Sequence, residues 1–442
     1  MKSLSLTLVT IVVGLTSSHA FVSNSKPGSF GTITANSRKS PMLFASTAVA
    51  ATDEIVQMFE QTKKFFLAKL DENISQHLTS AGLSEEDEVF ATKKDALYLP
   101  LAHFVTEYFN ANQVSFSQRQ NEESSPKATA ERMHQAISYG MAHGMGSDIY
   151  KFGVSHQALR NGIPDDESNT NDYYAFGCDF FRCVMDLPNS VFTGTDHLGK
   201  ALEQWKNGEN VVFLSNHQSE ADPQVVSAFL EQAGFGDVAA PNVYFVAGHK
   251  VTTDPLAIPF SMGRNLICIH SKKHINSGSK EEKSAKQRQN LQAMSKMLEM
   301  MRKGTIEDEQ DQDKKYGCAL WVAPSGGRDR RNVETNKVPI ADFDSKTIDM
   351  FRLMGNKSKK PTHFYAMSMV SYDLCPPPDY VEAGVGETRN VRFTPVGVAI
   401  SEELPNEGGV ESRHTFAELA QERCQENYEK LLAAMQEPNN EE

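Results

Sequence analysis

Residues 210–223 read Asn-Val-Val-Phe-Leu-Ser-Asn-His-Gln-Ser-Glu-Ala-Asp-Pro. An apolar run, Val211 to Leu214, gives way at once to a polar cluster that holds His217 and, five positions later, Asp222. A short apolar run bounded by turn formers reads as a buried strand. Polar residues just past such a strand fall in the crevice where open α/β sheets place their chemistry. A histidine there titrates near neutrality and suits a general base, and a neighbouring carboxylate fixes its tautomer and stabilises the imidazolium. Asp222 has a second reading. Followed by Pro223, it is also a good N-cap for a helix carrying Val225, Val226, Phe229 and Leu230, and its two oxygens allow both roles.

Spacing alone does not single this pair out. His-x4-Asp occurs three times, at His143 and Asp148, His217 and Asp222, and His249 and Asp254. The last copy also follows an apolar run, Val243 to Ala247, and also ends in Asp-Pro.

Outward from this stretch the pattern alternates. Strands are expected at Val211–Leu214, Val243–Ala247, Leu266–His270, Cys318–Ala323, Phe364–Val370 and Val391–Ile400. A helix from Glu281 to Lys303 sets Leu291, Met294, Leu298 and Met301 on one face and stops at Gly304, and another closes the chain with Phe416, Leu419, Leu431 and Met435. Strands alternating with helices predict an α/β domain, a mixed sheet flanked by helices, over residues 172–435. Upstream, 53–160 carries helical stripes such as Ile55, Phe59, Phe66 and Leu70, which predict a smaller N-terminal helical-bundle domain. Residues 161–171, rich in turn formers and acids, read as a linker, 305–315 as an exposed acidic loop, and 436–442 as a disordered tail.

With 442 residues and 39% of them hydrophobic, the chain can bury a substantial core. A formal charge of −13 argues against a nucleic-acid binder, whose footprint is basic. The six cysteines form no CxxC pair, so they read as reduced core thiols and no metal site is expected. Lys2 followed by a mostly apolar stretch to Leu15 has the form of a signal peptide, cleaved after Ala20. Residues 21–52 lack Asp and Glu but hold Lys26, Arg38, Lys39 and many hydroxyls, the composition of a transit peptide. Together these resemble the bipartite plastid presequences of algae with red-lineage secondary plastids and predict a soluble protein of the plastid stroma, with secretion as the alternative. Residues 1–52 carry four positive charges and no negative one, so the remainder carries −17 and has no stretch long enough to span a membrane.

Two further strand ends are cationic. Leu266–His270 runs into Ser271-Lys272-Lys273-His274, and Cys318–Ala323 into Pro324-Ser325-Gly326-Gly327-Arg328-Asp329-Arg330-Arg331. At the same sheet edge as His217, Lys273, Arg328 and Arg330 can converge on a dianion, which guanidinium forks match bidentately. A cationic pocket in an acidic protein points to a small phosphorylated substrate.

Three blocks in this order, 213–223 (FLSNHQSEADP), 245–274 (FVAGHKVTTDPLAIPFSMGRNLICIHSKKH) and 321–330 (WVAPSGGRDR), closely resemble the soluble plastid glycerol-3-phosphate acyltransferases of the glycerolipid acyltransferase superfamily. The likeness covers roughly 170–400. Ala323-Pro324-Ser325-Gly326-Gly327 stands where most of the superfamily has a Phe-Pro-Glu-Gly-Thr-type block. The resemblance implies transfer of an acyl group from acyl carrier protein, with acyl-CoA as the other donor, to the sn-1 hydroxyl of glycerol 3-phosphate, giving lysophosphatidate. It implies no cofactor beyond these co-substrates. It assigns catalysis to His217 and Asp222 and phosphate binding to Lys273, His274, Arg328 and Arg330, and so chooses among the three His-x4-Asp copies. The chain departs from the pattern in its acidic insertion and divergent helical domain, which bear on acyl selectivity and carrier docking. The richest basic surface for an acidic carrier is Lys272 to Arg288. Two other classes fit less well. A phosphoester hydrolase can use the same cations, but the sequence offers no carboxylate cluster for its metal ions, and a non-catalytic carrier- or lipid-binding protein needs no intact His-Asp pair.

Overall fold

The computed structural model describes residues 41–145, 149–164, 166–271, 275–307, 315–378, 388–407 and 411–436. The signal segment, most of the transit segment, Asp148, Lys272, Lys273, His274 and all but the first residue of the acidic tail lie outside the described residues. The chain divides into two compact units, up to Ser138 and from Tyr139 on.

The first unit is helical, with α1 (Pro41–Ser80), α2 (Glu88–Arg119) and most of α3 (Pro126–Gly144). The helical period of Phe59, Phe66, Leu70, Ile74 and Leu78 puts one apolar stripe on α1, and all five are buried. Phe59 meets Phe116 and Phe66 meets Phe109, with ring centroids about 6 Å apart, so α1 lies along α2. Arg132 of α3 reaches α2 through Tyr108 Oη at 2.8 Å and Asn112 Oδ1 at 3.2 Å. Helix α1 starts at Pro41, inside the segment read as a transit peptide. The units divide earlier than the 160/161 boundary expected from sequence.

The second unit holds β1 (Ser155–His156), α4 (Tyr173–Arg182), β2 (Val191–Thr193), α5 (Thr195–Lys206), β3 (Asn210–Ser215), α6 (Asp222–Gln232), β4 (Tyr244–Gly248), α7 (Ile258–Met262), β5 (Asn265–Ile269), α8 (Lys280–Lys303), β6 (Ile306–Glu307), β7 (Lys315–Tyr316), β8 (Ala319–Val322), α9 (Ser345–Ser358), β9 (Thr362–Val370), β10 (Gly397–Glu403) and α10 (Arg413–Ala434). The main sheet runs β1-β5-β4-β8-β3-β9-β10-β2. It is mixed, as expected: β5, β4, β8, β3 and β9 are parallel, β1 pairs antiparallel with β5, and β10 pairs antiparallel with β9 and parallel with β2.

Strand β3 lies inside the sheet with every residue buried, which is why it reads as a continuous apolar run. Its register sets Val212 between Leu320 and Phe364, and Leu214 between Val322 and Ala366. These six face one core with Met297 and Met301 of α8, Ile348 and Phe351 of α9, and Phe416 and Ala420 of α10. Phe213, alternating to the other face, sits between Trp321 and Tyr365, and Tyr365 Oη donates to Gln204 of α5.

Two expectations are corrected, the strand at 391–400 and the loop at 305–315. Residues 391–400 are not one strand: β10 starts at Gly397, because Pro395 has no N–H for the ladder, and Thr394 makes only an isolated bridge to Met185. At the ends of 161–171, Gly162 N–H donates to Asn171 O at 3.0 Å. Gly162 has φ +89°, and a Cβ there meets the Asn169 carbonyl, so only glycine fits. The ends of the acidic insertion pair as β6 and β7.

Candidate active site

Where β3 ends at Ser215, the chain turns through Asn216–Ala221 and enters α6 at Asp222. His217 Nδ1 lies 2.7 Å from Asp222 Oδ2. That bond leaves Nε2 as the ring nitrogen available for proton transfer, and the imidazole side chain is 26% exposed while Asp222 is fully buried. Trp321 of β8 meets the His217 ring edge-to-face at 5.6 Å and limits its tilt.

Asp222 is not the N-cap of α6; Ala221 holds that position and Asp222 opens the first turn. Its carboxylate faces back onto the loop. Oδ2 also accepts from Gln218 N–H at 2.8 Å, and Oδ1 from Ser219 N–H (3.1 Å), Ser219 Oγ (3.0 Å) and Ser371 Oγ (2.6 Å). Burial opposes the charge. The hydrogen bond and charge of His217, the Ser371 hydroxyl and the Gln218 amide outweigh it and hold the carboxyl below its ordinary range. Asp222 therefore stays ionised beside His217.

The Arg328 segment docks directly on this loop. Asp329 N–H donates to the His217 carbonyl at 2.6 Å. The Asp329 side chain, fully buried, accepts from Ala341 N–H (2.9 Å), Asn216 Nδ2 (3.1 Å) and Gln218 Nε2 (3.4 Å). Burial raises its pKa to about 6, despite those donors. On one side of Asp329, Arg328 Nη1 lies 3.4 Å from Glu220 Oε1; on the other, Arg330 Nη1 donates to the Pro378 carbonyl at 2.8 Å. Arg328 thus stands beside the His217 loop, while Arg330 has a different anchor. Lys273 and His274 lie outside the described residues.

The other two His-x4-Asp copies are built differently. His143 Nε2 meets the Tyr173 hydroxyl at 2.7 Å, and Asp148 lies outside the described residues. His249 stacks near His270 and its Nδ1 sits 3.3 Å from Thr252 Oγ1, whereas Asp254 pairs with Arg389 at 3.0 Å. His217 and Asp222 make the direct contact.

Residues 196–368 match the acyltransferase family model. The chain is 36% identical over 296 residues to the chloroplastic glycerol-3-phosphate acyltransferase of Arabidopsis thaliana, covering 65% of this chain and 59% of that one. It is 33% identical over 295 residues to the chloroplastic enzyme of Spinacia oleracea, covering 65% and 58%. The chain thus spans under three fifths of the length of these relatives. Among solved structures, the 1-acyl-sn-glycerophosphate acyltransferase PlsC of Thermotoga maritima aligns at 16% identity with a TM-score of 0.34, over 59% of this chain and 79% of that one.

The stretch matched by the family model takes in the β3 loop, Trp321 and the Arg328 segment, but not every residue that contacts them. Ser371 and Arg389 fall beyond it and were missed by sequence reasoning, since nothing in their local context marks them. Asn216, Gln218 and Asp329 were within the quoted motifs, and their unusual density of amide and carboxyl groups beside an apolar run was the available signal. All six cysteines are buried, as expected of core thiols. Burial pushes Cys268 up to about 11 and Cys318 up to about 12, so neither is a thiolate at neutral pH.

Proposed function

We propose that this protein is a glycerol-3-phosphate 1-O-acyltransferase acting by direct transfer. The observation that carries the reading is the His217–Asp222 contact of 2.7 Å, at the end of a buried strand, with Arg328 anchored on the same loop. His217 Nε2 takes the proton of the sn-1 hydroxyl as that oxygen attacks the thioester carbonyl carbon. The C–S bond then breaks, and the leaving thiolate recovers the proton from the imidazolium. Asp222 holds the ring tautomer and balances the transient positive charge. Arg328 and Arg330, with Lys273 and His274, bind the acceptor phosphate. The protonated Cys268 and Cys318 thiols support a route without an acyl-enzyme on these residues.

The donor is an acyl carrier protein thioester, with acyl-CoA as the other candidate. Its docking surface is the start of α8, where Lys280, Lys283, Lys286 and Arg288 precede the apolar part of the helix. No helix among the described residues is long and apolar enough to cross a membrane. The names of the relatives and the acid-poor leader support a plastid location. Incubation with glycerol 3-phosphate and acyl carrier protein thioester tests the reading. Ester formation supports it, phosphate release replaces it with a hydrolase, and neither product points to a binding protein.

A further inference from the structure

Glu220, inside the first His-x4-Asp block, is shared by two guanidinium groups. Arg328 Nη1 lies 3.4 Å from Oε1, and Arg389 Nε donates to Oε2 at 2.9 Å. Arg389 comes from the segment before β10, far from the motifs in sequence, and is only 7% exposed. Its Nη2 forms an ion pair with Asp254 Oδ1 at 3.0 Å, so Asp254 of the second His-x4-Asp-Pro copy serves as a counter-ion to Arg389. Its Nη1 is buried and has no hydrogen-bond partner among the described residues.

A buried guanidinium N–H without an acceptor is costly, and one left so beside another cation calls for a ligand. The charges agree. Arg328, Arg389 and Lys250 all act on Glu220 and hold its carboxyl down to about 2, although burial opposes this. Two guanidinium groups, those of Arg389 and Arg328, thus share this one carboxylate. Glu220 occupies between the two guanidinium groups the kind of place that a dianion's oxygens favour.

We infer that Arg389 is a specificity-determining residue of the acceptor site, pre-oriented by Glu220 and Asp254 so that Nη1 and Arg328 together receive the phosphate of the acceptor. This rests on the acyltransferase reading and adds to it a residue that lies outside the recognised motifs. Glu220 keeps the two guanidinium groups in place before the substrate arrives, and Asp254 fixes the rotation of Arg389. The charge selects phosphorylated glycerol over glycerol.

The test uses Arg389→Lys, which keeps the charge but loses the fork, and Arg389→Gln combined with Glu220→Gln, which neutralises the Arg389–Glu220 pair together; folding of the double variant is checked separately, because Asp254 loses its guanidinium partner. Calorimetric binding of glycerol 3-phosphate is read beside KM for acceptor and for donor. We expect acceptor Kd and KM to rise roughly tenfold or more in both variants, the loss of a charged hydrogen bond, with donor KM within about twofold. We also expect the discrimination between glycerol 3-phosphate and glycerol to fall by a similar factor. Unchanged acceptor Kd in a folded double variant overturns the inference and leaves Arg389 as a purely structural ion pair. Wild-type protein that binds glycerol 3-phosphate but forms no ester instead overturns the acyltransferase reading, and the binding arm still decides the role of Arg389.

Discussion

At the scale of single residues, the site assigns different tasks to neighbours that sequence spacing makes look alike. If His217 is the base, His217→Ala lowers kcat by about 10²- to 10⁴-fold, the usual worth of positioned proton transfer, while glycerol 3-phosphate still binds. His249→Ala keeps most activity, because Asp254 is committed to Arg389. An inactive but folded His249 variant beside an active His217 variant moves the site to the second copy. Ser371, just past the end of the neighbouring strand β9, supports Asp222, and losing one hydrogen bond worth about 1 kcal/mol predicts a fall in kcat of roughly fivefold for Ser371→Ala. Ser371→Thr, which keeps the hydroxyl, restores most of it.

Asp329 gives a pH prediction. Its folded-state pKa is raised from 3.8 to about 6, so the folded protein holds this proton more tightly than the unfolded chain. The resulting stability is fully present below the unfolded value and is lost as pH rises through about 6, a difference of up to about 3 kcal/mol. Asp329→Asn cannot ionise. Its melting temperature relative to wild type should therefore improve between pH 5 and pH 7.5, and a constant offset across that window refutes the assignment.

At the scale of elements, α8 shows how local sequence sets a surface. Ser279 Oγ accepts from Glu282 N–H at 3.2 Å and Glu282 Oε2 accepts from Ser279 N–H at 2.6 Å, a capping box that starts the helix. Ser279→Ala should cost about 1 kcal/mol, measured by denaturant unfolding. The basic residues of the first turns are displayed by that start, and Lys286 Nζ is steadied by the Ser277 carbonyl and hydroxyl at 2.9 and 3.0 Å. Charge reversal at Lys283 and Lys286 should raise KM for the carrier-bound donor, more so at low salt where exposed charges are least screened. A donor KM that does not move removes this surface as the docking site.

At the scale of the molecule, the acid-free leader and the first helix meet. The mature chain is expected to begin between Phe21 and Asp53, and since α1 runs from Pro41, a start beyond that residue shortens the helix from its N-terminal end. N-terminal sequencing of the protein from cells decides this. An intact Met1, or recovery from the medium, excludes the plastid leader.

The central architecture was legible in the sequence because burial on both faces leaves β3, β4, β5, β8 and β9 as apolar runs whose ends are polar. The observed limits of these five strands differ from the expected ones by a residue or two, and the His217–Asp222 contact lies just past the end of β3. The short strands β1 and β2, two and three residues long, carry too little periodicity to be seen. What only tertiary structure decided is which carboxylate each cation and each histidine meets. Asp222 finds Ser371 across 149 positions, Asn216 finds Asp329 across 113, and Glu220 finds Arg389 across 169. Such pairs are fixed by sheet register and by where loops land, and no local spacing encodes either. His217 and Asp222 lie on one turn between a strand and a helix, so their pairing was open to sequence. The same spacing at His249 and Asp254 gives no pair, because a buried arginine from a distant segment takes the carboxylate.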